Sequence, residues 1–183
     1  MAYNMKDVFY LDTSLDTGTS TGNAIATVDL SSYVDPIARN RSKGTGLAIY
    51  RVHFDICDDD GNSPVAAGAT GQFRAGLISL SGATAGAIGT VSLVANTLNA
   101  SNDLMIAGVD FAAGGTAAGD PAPHMFLSPS DDVPYVVVRD QVALCLDVIT
   151  AMSAGASVKV RMECAQVTLD QATLNQLLRT QTV

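Results

Sequence analysis

The chain has no Trp, only one Glu among its 18 acidic residues, and no apolar run that approaches the roughly 18 residues of a membrane span. Charged residues make up 15% of its 183 positions, against about 25% in an average soluble domain. Aromatic residues make up 5%, which is little for a sugar-binding or base-stacking surface. The formal charge of −8 lacks the basic footprint of ordinary nucleic-acid binders, so no direct contact with nucleic acid is expected.

Small residues take the place of charge, since Ala, Gly, Ser and Thr account for 72 of the 183 positions. A chain of 183 residues can bury enough of its surface to fold without disulfides or metal, and 48% of its residues are hydrophobic. A low-charge surface of small residues is typical of a subunit whose assembly buries area that a monomer would cover with Lys and Glu.

The cysteines and the first residues both bear on the compartment. Cys57, Cys145 and Cys164 are odd in number and widely spaced, so we expect reduced, packed thiols and no disulfide framework. The first residues contain no apolar segment of the signal-peptide kind, and no signal peptide is expected.

Apolar and polar residues alternate along much of the chain, which is the pattern of strands with one buried face. The even positions are apolar from Leu47 to Cys57 and again from Ser157 to Cys164. Further strands are predicted at Asp7–Asp12, Ala24–Leu30, Gln72–Leu80, Thr90–Thr97, Leu104–Phe111, Val133–Arg139 and Gln141–Ile149. Two Gly/Ala-rich stretches, Ser81–Gly89 and Gly108–Pro123, are predicted to be loops.

A helix is predicted at the C-terminal end, where Thr168 and Gln171 match a capping box. Its apolar stripe consists of Leu174, Leu177 and Leu178. Strands without βαβ alternation predict an all-β fold, and their number and length match a single eight-stranded jelly-roll sandwich with a short C-terminal α-helix. An immunoglobulin-like sandwich is the alternative, although its Cys–Trp–Cys signature is missing. We expect one domain over 1–183, with an N-terminal extension at 1–22 and the helix and tail at 168–183.

The residues that carry chemistry allow two metal hypotheses. His53-x-Asp55 followed by His124 has the form of a facial triad, in which two imidazoles and a carboxylate hold iron in a cupin-like oxygenase. The other interpretation is that these are ordinary solvent-facing residues, and we expect no catalytic residue and no enzyme.

A run of acidic residues at Asp58, Asp59 and Asp60 is the candidate for a calcium site. The spacing does not fit an EF-hand, because apolar residues fall where the first and last ligands would be. A simpler calcium clip stays open beside the solvated turn that we favour, and no other cofactor is indicated.

Contacts with neighbouring subunits are expected at a few places. The basic cluster of Arg39, Arg41 and Lys43 suits the acidic edge of a neighbour better than phosphate in a chain this acidic. Asp110, in the predicted long loop, and Leu177 and Arg179, on the helix, complete the candidate contact residues.

The strand series Ala24–Leu30, Leu47–Cys57, Gln72–Leu80, Gln141–Ile149 and Ser157–Val167 resembles the single-jelly-roll capsid proteins of icosahedral viruses. The resemblance implies a self-assembling coat subunit of a virion, put together in the host cytoplasm from copies of itself and of other capsid proteins. The Arg/Lys-rich arm of many RNA-virus members is missing, which implies that another protein or an internal viral membrane handles the genome. A capsid decoration protein and a non-catalytic binding module stay open as alternatives.

Overall fold

The computed structural model describes residues 8–35, 43–61, 63–66, 68–80, 97–114 and 122–181. In these ranges nine strands precede a C-terminal helix, and no helix is long and apolar enough to span a membrane. The elements are β1 (Val8–Asp16), β2 (Gly22–Asp29), β3 (Lys43–Cys57), β4 (Thr70–Leu80), β5 (Met105–Gly114), β6 (Ala122–Leu127), β7 (Tyr135–Val137), β8 (Gln141–Thr150), β9 (Ser157–Asp170) and α1 (Gln171–Thr180).

The strands form a four-stranded sheet in the order β1-β9-β3-β7 and a five-stranded sheet in the order β2-β8-β4-β5-β6. All pairs are antiparallel, with β1 on β9, β2 on β8, β3 on β7 and β4 on β5. The chain is therefore one long antiparallel ribbon, rolled so that β9 also pairs with β3 and β8 with β4. This winding is a jelly roll, which confirms the predicted fold, and β6 is an added edge strand beside β5.

The main core lies between the inner faces of the two sheets. Phe73 of β4 and Phe111 of β5 stack at its centre, with ring centroids 5.0 Å apart. Leu144 of β8 and Val160 of β9 are among the side chains that the two sheets bury against each other. Alternation along the strands puts the apolar set on one face, and burial of that face stabilises each large side chain by roughly 1.5–3 kcal/mol.

A β-bulge changes the face that β3 buries. Its register against β9 shifts between Ile49 and Arg51. Ile49 and Val52 both join the main core, whereas Ala48 and Tyr50 pack in a separate cluster. The expectation that the even positions share one buried face throughout is therefore wrong, because the extra residue of a bulge moves the following side chains to the other face.

The outer face of the five-stranded sheet is apolar as well. The second buried cluster consists of Ile78, Leu80, Leu98, Met105, Ala143 and Cys145. Ala143 and Cys145 alternate with the core residues Val142, Leu144 and Leu146 and so lie on this outer face, yet both are fully buried. They are buried because Leu98, which comes from a distant part of the chain, helps to cover this face.

The predicted loop at Gly108–Pro123 is wrong at both ends, since β5 continues to Gly114 and β6 begins at Ala122. Gly108 is required by packing and not by a turn, because a Cβ on it would overlap the ring of Phe126. Small residues in this stretch therefore signal close approach within the sheet.

Several other predictions differ from the structure in extent. The predicted N-terminal extension, 1–22, contains β1, which is paired with β9 along its whole length. The strand predicted at Val133–Arg139 is reduced to β7. The loop predicted at Ser81–Gly89 lies outside the described residues, and so does the strand predicted at Thr90–Thr97 except for Thr97.

The helix begins later than the capping box predicts. Thr168 still belongs to β9, and the N-cap is Asp170, whose Oδ1 accepts the backbone N–H of Thr173 at 2.7 Å. This hydrogen bond lowers the pKa of Asp170, because it favours the charged carboxylate. Leu174 of the predicted stripe is fully buried, packed over Gly44 at the start of β3.

Gln181 anchors the C-terminal end of α1 to the strand region around β7. Its side-chain Nε2 donates to the carbonyl of Val136 at 2.6 Å, and its Oε1 accepts the N–H of Val138 at 3.2 Å. The Nε of Arg139 donates to the backbone carbonyl of Gln181 at 2.8 Å. The amide of Gln181 thus pairs with residues 136–138 as a neighbouring strand would.

Replacing Gln181 with Ala should lower the free energy of unfolding by about 1–3 kcal/mol, because it leaves the buried N–H of Val138 and the half-buried carbonyl of Val136 without this partner. Chemical denaturation followed by circular dichroism measures the change. Gln176→Ala is the matched control, since Gln176 is exposed on the same helix, and it should stay within about 0.5 kcal/mol. Equal stabilities of the two variants would contradict the anchoring role.

Candidate functional site

The outer face of the four-stranded sheet carries a charged groove of about 690 Å³. It is formed where β1, β9 and β3 run side by side, because every second side chain of each strand points outward. The cross-strand register places these side chains in three rows: Tyr10–Glu163–Arg51, Asp12–Arg161–His53 and Ser14–Lys159–Asp55.

Several charged side chains in and beside this groove have partners within the chain. Nε2 of His53 lies 2.8 Å from the Glu163 carboxylate, and a guanidinium nitrogen of Arg51 lies 2.5 Å from Asp131. The guanidinium of Arg161 lies over the ring of Tyr10, 5.4 Å from its centroid. Exposed pairs of this kind contribute about 0–1 kcal/mol each, so these contacts have a modest effect on stability.

The facial-triad hypothesis is wrong, because the structure does not bring its residues together. His53 is paired with Glu163 on the four-stranded sheet, whereas His124 lies on β6 of the other sheet, opposite Asp110. Asp55 lies opposite Lys159. Two imidazoles and a carboxylate must converge on one ion, and strands of different sheets do not allow it here.

The acidic run lies in the turn after β3. The N–H of Gly61 donates to the carbonyl of Asp58 at 2.8 Å, and the N–H of Ser63 donates to the Asp58 carboxylate at 3.1 Å. The ammonium of Lys159 donates to the carbonyl of Gly61, so a positively charged side chain already lies where a calcium ion would bind at this turn. Within the described ranges no group of three or more His, Cys, Asp or Glu side chains is arranged to hold a metal ion. A calcium site at Asp58, Asp59 and Asp60 stays a prediction.

The candidate contact residues lie at different places. Arg39 and Arg41 fall outside the described residues. Lys43 is exposed at the start of β3, and Arg179 is exposed in the last turn of α1. Leu177 is half-buried and lines a shallow pocket beside Tyr135.

Asp110 is engaged by the chain itself, in a cluster that the sequence analysis missed. Its two carboxylate oxygens accept from Nε and Nη2 of Arg74, at 2.6 and 2.8 Å. A third guanidinium nitrogen donates to the carbonyl of Leu98 at 3.1 Å, and the guanidinium lies 4.7 Å from the ring centroid of Phe126. The sequence signals this cluster only through Arg74 and Asp110, each of which is a single charged residue in the middle of an otherwise apolar strand.

All three cysteines are free and buried, as predicted. Burial raises the pKa of Cys145 and of Cys164 to about 12, because the thiolate would lose its hydration. Burial also raises the pKa of Cys57. These thiols are packing groups and not nucleophiles.

Replacing Arg74 with Lys should destabilise the protein by about 1–2 kcal/mol, since an ammonium keeps the charge but loses the two-pronged hydrogen bond and the planar stacking. The side chains of Arg74 and Asp110 are 37% and 35% exposed, which limits the effect. Urea denaturation measures it, with Arg179→Lys at an exposed position as the control. A variant as stable as the control would refute the role of Arg74.

The native protein should show no thiol that reacts with a disulfide reagent on mixing at pH 8, and three that react once it is unfolded. The reason is that thiolates form only after the core opens. Immediate reaction of one cysteine in the native state would contradict the buried position of that thiol.

No known family's sequence model and no curated protein matches the chain. Among solved structures it is similar to VP1 of Merkel cell polyomavirus in complex with disialyllactose, with 8% identity and a TM-score of 0.46 over 93% of this chain and 98% of that one. It is also similar to VP1 of trichodysplasia spinulosa-associated polyomavirus in complex with GM1 oligosaccharide, with 7% identity and a TM-score of 0.44 over 93% and 97%.

A third similar structure is the VP1 pentamer of human polyomavirus 7, with 13% identity and a TM-score of 0.44 over 93% of this chain and 98% of that one. All three are capsid proteins, the class that the strand pattern resembles. Their TM-scores lie below 0.5, so the fold assignment rests on the winding of the strands, and function is inferred from this chain's own residues.

Proposed function

We propose that the chain is a structural coat subunit that assembles with copies of itself into the icosahedral shell of a virus. The observation that carries the proposal is a jelly roll whose surface leaves large apolar side chains in water. Tyr10, Met125, Val133 and Ile149 are 57%, 46%, 73% and 54% exposed. They lie in a chain with only 15% charged residues, and contact with other subunits would cover them.

The polar groups support a role in packing. His53 pairs with Glu163 in the groove, Arg74 and Asp110 hold neighbouring strands together, and the buried thiols are inert. Such side chains stabilise the domain and carry out no chemistry, so we place its function in the surfaces that contact other subunits.

The charge balance supports a shell that leaves the genome to other components. The three basic residues of the groove region, Arg51, Lys159 and Arg161, each face an acidic or aromatic group or a carbonyl of the same chain. They do not form a free basic patch, and the net charge of −8 repels phosphate. The place of the protein would be the virion, with other capsid proteins or an internal membrane beside the nucleic acid.

A non-catalytic binding module is the second candidate, and the groove favours it. Exposed Tyr10, Ser14 and Arg161 line it together, which suits a polar ligand.

Purified protein should form closed particles, or rings that grow into them, in negative-stain electron microscopy with parallel light scattering. Assembly buries the exposed apolar side chains and so is favourable. The experiment is run with and without calcium, and calcium-dependent particles would promote the turn at Asp58–Asp60. Species no larger than a dimer in both conditions would overturn self-assembly into a shell.

A further inference from the structure

Two long strand edges lie open on the same side of the sandwich. β1 ends the four-stranded sheet and β2 ends the five-stranded sheet, and a short turn connects them. β1 and β2 also contact each other across the sandwich, so both edges belong to one side, which we call the β1/β2 flank. Within the described ranges no strand pairs with the outer edge of β1 or of β2.

The β1/β2 flank lacks the devices that usually protect an edge strand. β1 and β2 are nine and eight residues long, contain neither Pro nor Lys, and pair with β9 and β8 without a register shift. The opposite flank is protected, since β7 has three residues and β6 has both Pro123 and a register shift against β5. Long, regular and unprotected edges invite pairing with another chain.

The same flank leaves the side of the core uncovered. Phe9, Leu11 and Leu15 of β1 pack against the core but stay half-exposed. Ala24 and Val28 of β2, in the other sheet, also pack against the core and are also half-exposed. A partner on this flank would therefore gain apolar contact as well as backbone hydrogen bonds.

We propose that the β1/β2 flank binds the same flank of a second copy about a two-fold axis perpendicular to the sheets. This inference rests on the self-assembly proposed above and names one of its contacts. The rotation brings β1 against β1 and β2 against β2 at once, both antiparallel. It extends both sheets across the subunit boundary and joins the two cores, and such isologous contacts are the commonest in homo-oligomers.

The charges of β1 are compatible with this pairing. A register centred on Thr13 places Asp12 opposite Ser14 of the second copy and keeps the Asp12 carboxylates off the axis. Arg161 of the same chain lies next to Asp12 in the sheet and offsets its charge. The open backbone groups of an edge match those of another strand, which makes a strand of a second copy the fitting occupant.

The test is the double variant S14K/T27K, which adds one exposed Lys to each edge strand and sets four ammonium groups near the axis. S128K/S130K is the matched control, since it adds the same charge at exposed serines after β6 on the other flank. Light scattering and negative-stain microscopy compare both with the unmodified chain, and circular dichroism checks that each is folded.

We expect the control to assemble like the unmodified chain and S14K/T27K to stop at smaller species. Hydrogen exchange should slow in residues 8–16 and 22–29 on assembly, because an open edge leaves every second amide free to exchange. Particles formed equally by S14K/T27K would refute the flank contact while leaving the shell in place.

A dimer that S14K/T27K abolishes, with no larger species, would support the contact and overturn the shell. A strict monomer would overturn both. Should S14K/T27K fail to fold, the exchange measurement on the unmodified chain decides, and unchanged exchange in the two strands on assembly would refute the proposal.

Discussion

The ladder between β3 and β9 holds the fold together. It runs from Lys43 to Cys57 on one strand and from Asp170 to Ser157 on the other, and so it joins parts of the chain that are at least 100 residues apart. The other edge of β9 carries β1, and the end of β9 leads directly into α1. The two-layer core, the charged groove and the seat of the helix all follow from this ladder. Pairing at such separation delays folding until the ends of the ribbon meet.

Much of the fold was predictable because alternation reports burial on one face. The strands at Gln72–Leu80, Gln141–Ile149 and Ser157–Cys164 were found this way, and a run of strands without helical crossovers indicated the sandwich. Alternation fails where burial is not one-sided. The bulge at Ile49–Arg51 swaps faces, and Leu98 covers Ala143 and Cys145 from outside. The loop predicted at Gly108–Pro123 was wrong for a related reason, since Gly108 makes room for Phe126 within the sheet and does not mark a turn.

The candidate site was less predictable, because its side chains contact partners on other strands that are distant in sequence. The sequence identified His53 and Asp55 as polar neighbours, but their partners, Glu163 and Lys159, are more than 100 residues away. His124 matched the triad by residue type alone, and register puts it on the other sheet. The pair of Arg74 and Asp110 was present as two isolated charges, which only the alignment of β4 with β5 brings together.

The surfaces lead to one physical account, in which Arg51, His53 and Arg74 pair with acidic groups of the same chain and the β1/β2 flank is left for other copies. Sedimentation velocity over a wide range of protein concentration tests this account most directly. A closed shell predicts a cooperative change from small species to one large species whose sedimentation coefficient no longer grows with concentration. A single 18.9 kDa species at every concentration would contradict it.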